Sequence, residues 1–486
     1  MTMSTRSLTW SLLRGGLRLD THKKRSTAGP IRIASVPDRL FVPLDQHAGD
    51  PAIPVVSAGD EVHMGQPIAK PNSNISAWIH APVSGRIGGL ERRSSDDEDA
   101  HSYVVIENDH HDTRYAGHHP VDFMTLAPAA LCEHISQGGI VGLGGAAFPT
   151  APKLLQADTG AKPHLILNGA ECEPWISCDD MLMRERAADV VFGARVLRHA
   201  LNASDCTIAI EDDVPQAQAA LESAIAETDI RLSVVPSIYP AGGERQLIKA
   251  LTGREVPSGG LPQDINVVCH NVGTAAAIAR WLRDGQPLIS RIVTITGSSV
   301  REPGNLEARI GTPIANLVAD CGGYSHEADQ LIMGGSMMGI ALASDADPVI
   351  KGTNCVVVAA SSDLHPRGPE MPCIRCGNCS VVCPAYLLPQ QLHWHALAAD
   401  VPALEQLGLM DCIECGCCDY VCPSQIPLAQ RFREAKPSVA AQLAARQDAK
   451  LWRGRFESRQ QRLTRLEQEQ RAKLEEKRRQ LTGRKS

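Results

Sequence analysis

Eight of the chain's 16 cysteines fall into two runs of identical spacing. The first is Cys373, Cys376, Cys379 and Cys383, closed by Pro384; the second is Cys412, Cys415, Cys418 and Cys422, closed by Pro423. C-x2-C-x2-C-x3-C-P is the run that holds a [4Fe–4S] cubane. A cubane has four irons, and each takes one thiolate. Three thiolates from one tight loop reach three corners; the fourth corner faces away, toward the other run. The expected ligand sets are Cys373, Cys376 and Cys379 with Cys422 for one cluster, and Cys412, Cys415 and Cys418 with Cys383 for the other. Structural zinc takes four ligands, as two CxxC pairs, and leaves the doubled set and its two prolines unaccounted for. A pair of such clusters moves single electrons. Cys417 lies inside the second run but off its spacing and is expected to be a spectator.

A second chemical motif is glycine-dense: Gly142-Leu143-Gly144-Gly145-Ala146-Ala147-Phe148-Pro149, with Lys153 after it. Glycines let backbone N–H groups converge on a phosphate and let the chain approach a flat ring closely. The segment resembles one in the flavin subunit of respiratory complex I, the 51 kDa subunit. Three more segments follow in that family's order: Asn168-Gly169-Ala170-Glu171-Cys172-Glu173-Pro174, Ala241-Gly242-Gly243-Glu244-Arg245 and Asn271-Val272-Gly273-Thr274. The resemblance implies FMN as cofactor and NADH (or NAD⁺) as substrate. It places Gly142, Gly144, Gly145, Ala146, Phe148, Lys153, Asn168, Glu171, Glu173, Gly243, Glu244 and Asn271 at the cofactors. Glu171 and Glu173 are the expected contacts to the flavin or the nicotinamide. Two departures stand out: Ala170 replaces an Asp of the family, and Trp175 replaces its small residue after Pro174. No nucleophile is expected, because hydride transfer belongs to the cofactor.

The elements around these motifs predict a multidomain α/β plus β chain. With 486 residues, more than one core is expected. Residues 1–30 are polar and basic and predict a mobile arm. Residues 31–115 carry short strands broken by turns. They resemble the biotinyl/lipoyl carrier fold, a barrel-sandwich hybrid, but the hairpin tip reads Pro71-Asn72-Ser73-Asn74 with Lys70 just before it. The expectation is a carrier-like β barrel-sandwich without a carrier lysine, serving as a scaffold. SSDDEDAH (94–101) is expected to be a solvated acidic loop. Residues 121–275 alternate strand and helix patterns and predict a Rossmann-like flavin domain with a parallel sheet. Residues 286–345 turn β-rich again and resemble the β-grasp SLBB domain. Residues 361–430 hold a helical dicluster ferredoxin module, and residues 431–486 a charged helical tail.

Composition narrows the function classes. A net charge of −7 speaks against nucleic acid as a partner. There is no run of 18 apolar residues to span a membrane. Arg14, Gly15 and Gly16 interrupt the N-terminal segment before it could serve as a secretory signal, so a reducing, cytoplasmic setting is expected. The domain order resembles the RnfC family of the Rnf (Rsx) ion-translocating electron transport complexes. That resemblance implies a peripheral subunit on the cytoplasmic side of the cell inner membrane, held by integral membrane subunits and other subunits of the complex. It implies electron flow between NADH and ferredoxin coupled to ion movement. The cobalamin reductase of bacterial microcompartments shares the architecture, and a flavin-less iron–sulfur adaptor is the other reading. The tail, basic in an otherwise acidic chain, suits an anionic membrane surface, a partner helix or plain solvation.

Overall fold

The computed structural model describes residues 6–7, 14–94, 100–155, 162–364 and 368–482. Most of the acidic loop, the first residues of the arm and the last four of the tail lie outside the described residues. The chain divides into two compact units: Met1–Tyr386 with Cys415–Ile426, and Leu387–Glu414 with Pro427–Ser486. The stretch expected as one module, 361–430, is therefore shared between units, with Cys412 in the second.

At the centre of the first unit is a five-stranded sheet. Its order is Arg6–Ser7, Arg231–Val235, Asp205–Glu211, His164–Gly169, Val267–Asn271, with every neighbour parallel. Leu165, Ile166 and Leu167 are all fully buried, as an unbroken apolar run demands when helices cover both faces. The chain builds outward from His164–Gly169 through 205–211 to 231–235, then returns to lay Val267–Asn271 on the other side. His164–Gly169 and Val267–Asn271 thus flank the topological switch point, where ligands of such sheets bind beyond the strand carboxyl ends. Helices Ala187–Ala200 and Val272–Asp284 pack closely enough that a Cβ on Gly193 would sit 1.9 Å from the Ala275 carbonyl oxygen.

Residues 39–108 form two small antiparallel sheets, Arg39–Pro43/Ala100–Asn108/Gly85–Ser94/Glu61–Val62 and Ile53–Pro54/Pro67–Lys70/Ile79–His80. The third sheet has six strands in the order Ile340–Leu342, Gln330–Met333, Cys355–Ala359, Ser290–Thr296, Gly304–Arg309, Arg32–Ile33. It corrects two expected boundaries. Cys355–Ala359, beyond the limit of 345, is an inner strand of that sheet, and Arg32–Ile33, assigned to the barrel, is its edge.

The arm is corrected as well, from Arg14 onward. Gly16 N donates to Val382 O at 2.9 Å, Leu17 bridges Tyr239, and Trp175 N donates to Thr21 O at 2.8 Å. Lys23 is only 5% exposed. Its ammonium has an ion partner in Glu211 and a carbonyl partner in Glu171, which is what makes its burial tolerable.

Glu307, on strand Gly304–Arg309, ties this sheet to the flavin-type domain. It accepts from Arg280 at 2.6 Å, Arg186 at 2.5 Å and Ser290 at 2.9 Å. Burial pushes against its charge, but Arg280 and Arg186 outweigh it and hold the carboxyl down to about 2. Its contribution is therefore complete above the unfolded value of 4.5 and lost as pH falls toward 2. Glu307→Gln is expected to cost about 3 kcal/mol in urea unfolding at pH 7, with the gap from the parent narrowed to roughly half at pH 3 and closing only as pH falls through about 2.

In the second unit, helices Pro389–Leu397 and Val401–Gln406 pack on the first turns of the long helix Leu428–Thr482, around buried Leu392, Leu404, Leu409, Phe432 and Val439. The long helix starts three residues before the expected tail boundary. From residue 444 to 479 it is exposed all round. Among the described residues no helix is long and apolar enough to cross a membrane.

Candidate functional site

The glycine-dense segment is a tight turn at the switch point. Val141 bridges Pro149, and Gly142 N donates to Phe148 O at 2.8 Å. Its base is held from three directions: Leu143 N donates to Thr274 Oγ1 at 2.9 Å, Arg291 donates to Leu143 O at 3.2 Å, and Ala48 N donates to Ala147 O at 3.1 Å. Its tip, Gly144 to Ala146, is exposed. Gly145 has φ +111°, a conformation that favours glycine, and a Cβ there would meet nothing within 4 Å. An open, glycine-lined tip at the carboxyl end of a parallel sheet fits a flavin's phosphate and flat ring.

The other expected residues are distributed around it. Asn271 caps helix Val272–Asp284, accepting from Gly273 N at 2.8 Å, and donates to Asp179 at 2.5 Å and to Asn168 O at 3.4 Å. It faces Gly144, whose Cβ would lie 3.5 Å from the Asn271 side chain. Asn168 donates to Gly242 O at 2.8 Å and accepts from Ala170 N at 3.0 Å. Gly243 is the N-cap of helix Glu244–Thr252, and Glu244 pairs with Lys153 at 2.6 Å. The structure thus brings Gly144, Asn168, Asn271, Gly243, Glu244 and Lys153 onto one end of the sheet.

The two glutamates behave differently. Glu171 caps helix Cys178–Glu185 from a distance, accepting from Asp179 N at 3.1 Å, Asp180 N at 3.3 Å and Cys178 Sγ at 3.2 Å. Burial, then Asp179 beside it, pushes its carboxyl up to about 8. Glu173, also expected at the cofactor, bonds the third sheet: its Oε1 accepts from Met337 N at 2.7 Å and Met338 N at 3.0 Å, in the turn between Gln330–Met333 and Ile340–Leu342. Gly335 is glycine because a Cβ there would lie 1.9 Å from the Glu173 side chain.

Sequence reasoning placed Thr274 in a motif without giving it a role, and missed Asp179, Arg291, Lys23 and Tyr239. Asp179 had a signal, an acidic pair opening a helix, but the others announce themselves only through distant partners. Trp175, noted as a departure, is 3% exposed, has φ +74°, and stacks on His22 with ring centroids 4.1 Å apart.

In the cysteine runs, the backbone repeats itself. Arg375 and Glu414, at matching positions, have φ +57° and +56°; Gly377 and Gly416 have +82° and +73°; Tyr386 and Gln425 have +56° and +54°. A one-turn helix follows each of the paired glycines, Asn378–Val381 and Cys417–Tyr420. The same wrapping path twice over is what two loops around two identical cubes would need. Within the first unit, Met371 N donates to Ser424 O at 2.9 Å and Ser424 Oγ to Pro372 O at 3.0 Å. This lays the residues after Cys422 beside those before Cys373. Cys376 is exposed, whereas Cys415, Cys417 and Cys418 are buried. Tyr239 donates to Cys415 O at 2.6 Å, and a Cβ on Gly15 would come 2.7 Å from Cys383 O.

Fold and site together define an electron-transport protein of the flavin and iron–sulfur type. Four family models match in series: the RnfC barrel sandwich hybrid domain over residues 11–111, the Nuo51 FMN-binding domain over 135–280, the SLBB domain over 292–341 and the 4Fe-4S dicluster domain over 372–426. Relatives named as the C subunit of the ion-translocating oxidoreductase complex are 47% identical over 465 residues in Pseudomonas aeruginosa (93% of this chain, 59% of that one) and 43% identical over 458 residues in Yersinia pestis (93% and 73%). The chain belongs to their family, the RnfC subunits of ion-translocating oxidoreductase complexes. It spans 59% of the length of the relatives in Pseudomonas aeruginosa and Vibrio cholerae. An NAD⁺-reducing [NiFe]-hydrogenase is 19% identical with a TM-score of 0.45, covering 66% of this chain and 62% of that one, too loose a likeness to carry an argument.

Proposed function

We propose that the chain is the peripheral electron-transfer subunit of a membrane-bound, ion-translocating complex, carrying electrons between NADH and the membrane subunits, with ferredoxin as the far electron partner. In this reading it works on the cytoplasmic side of the inner membrane. FMN, when bound, supplies the exchange between a two-electron hydride and single electrons, and two [4Fe–4S] clusters supply one-electron conduction.

The chain's own residues would do the following. The Gly144–Ala146 tip and the N-terminus of helix Val272–Asp284 present backbone N–H groups to a phosphate. Asn168 and Asn271 fix the carboxyl ends of the two strands at the switch point. Arg291 and Thr274 hold the base of the glycine turn, so the tip keeps its shape without its own side chains. Glu171 is left as a protonated carboxyl near neutral pH, able to donate a hydrogen bond where an ionised one could only accept.

One observation carries the reading. The loop from Tyr239 to Glu244 touches both sites: Gly242 accepts from Asn168 at the crevice and donates to Cys172 Sγ at 3.2 Å, while Tyr239 bonds the carbonyl of the cluster ligand candidate Cys415. The test is anaerobic reconstitution of the full chain with FMN, iron and sulfide. Retained flavin that NADH bleaches is the expected result. A chain that takes up iron but no flavin would leave the adaptor reading in its place.

A further inference from the structure

The exposed part of the long helix contains a stretch unlike the rest of the molecule. Residues 450–466 carry six cations, Lys450, Arg453, Arg455, Arg459, Arg462 and Arg465, against one anion, Glu457, in a chain whose net charge is −7. The same stretch exposes large apolar side chains: Trp452 is 63% and Phe456 61% exposed, Leu463 and Leu466 44% each. At 3.6 residues per turn these four fall within an arc of about 80°. The stripe is no part of a core, because every residue of the second unit from 444 to 479 is exposed. Arg455 and Arg462 border it on one side and Arg459 falls within its arc; the Arg455 guanidinium sits 5.1 Å from the Trp452 ring centroid.

We infer that residues 450–466 form an amphipathic docking helix for an anionic lipid surface. The apolar stripe would enter the boundary between headgroups and acyl chains, where Trp and Phe are favoured. Lys and Arg stems would extend their charges to the lipid phosphates. Charge decides between a membrane and a second copy of the chain. A parallel or antiparallel pair of these helices would set cations against cations with a single Glu each to offset them. A coiled-coil seam also needs apolar residues sustained over several heptads, and here the next seam positions are Gln470, Lys473 and Lys477. Cations near an anionic surface each add about 1 kcal/mol. The inference does not depend on the cofactors.

The experiment is vesicle co-sedimentation of the full chain, using phosphatidylglycerol/phosphatidylcholine vesicles and vesicles of phosphatidylcholine alone. Binding to the anionic vesicles that weakens with added salt, and little binding to the neutral ones, is expected. The triple variant Arg455→Glu, Arg459→Glu, Arg462→Glu should lower the affinity by at least about a hundredfold. The pair Trp452→Ser, Phe456→Ser should lower it without altering the salt slope. Circular dichroism confirms that the variants keep their helix. Equal binding to both vesicle types, absence of binding to either, or concentration-dependent dimerisation that the aromatic pair abolishes would each overturn the assignment.

Discussion

Serine at Cys376 should halve the iron of the reconstituted chain, from about eight atoms to about four, and serine at Cys422 should remove the same four. The second half of that result is the informative one. Cys422 lies in the other run, 46 residues on in the chain, yet the expected ligand set gives it to the cluster of Cys373, Cys376 and Cys379. The Met371–Ser424 and Ser424–Pro372 hydrogen bonds support that crossing, since they put the end of one run against the start of the other. If the crossing is right, the two variants leave the same remaining cluster, with the same reduced electron paramagnetic resonance signal. If each run instead serves itself, the signals differ. Cys417→Ser is the control: it sits off the spacing, and its iron content should match the parent's. Should Cys422→Ser leave a signal distinct from that of Cys376→Ser, the interlocked scheme fails even with the iron count halved.

What the sequence made legible follows from how local each constraint is. Each run of four cysteines lies within a dozen residues, so spacing alone announces the run, and Arg375 and Glu414 or Gly377 and Gly416 repeat their φ angles at matching positions of it. The parallel sheet was likewise legible, because strands such as Leu165-Ile166-Leu167 carry their burial in consecutive residues. Strand Cys355–Ala359 carries it too, but its place in the third sheet depends on pairing with Ser290–Thr296 and Gln330–Met333, which no local pattern encodes. Glu173 shows the limit at the site. Its motif position suggests a ligand contact, and only the fold reveals that one of its carboxylate oxygens accepts from the turn around Met337. Lys23 is the extreme case, a basic residue in a polar segment whose partners lie 148 and 188 positions away.

That buried lysine should be the most costly side chain to remove. Lys23→Met leaves Glu211, itself 1% exposed, with one carboxylate oxygen already unpartnered and the cation that pairs with it among the described residues gone. Removing one partner of a buried ion pair costs about 3–5 kcal/mol, and that loss is expected in urea unfolding at pH 8. Burial pushes Glu211 up to about 7 even with Lys23 present, so the variant escapes part of the cost by keeping that carboxyl protonated. The loss should therefore be smaller at pH 5. The sign at Glu171 runs the same way. Between its unfolded value of 4.5 and its folded value of about 8, the native state holds a proton that the unfolded chain has released. Stability from this group thus falls as pH rises through that window. Glu171→Gln cannot ionise, so its stability curve between pH 5 and 8 should be flatter than the parent's by on the order of 2–4 kcal/mol. Parallel curves for parent and Glu171→Gln would mean that the carboxyl is ionised throughout. The hydrogen-bond donor proposed at Glu171 would then be absent at neutral pH.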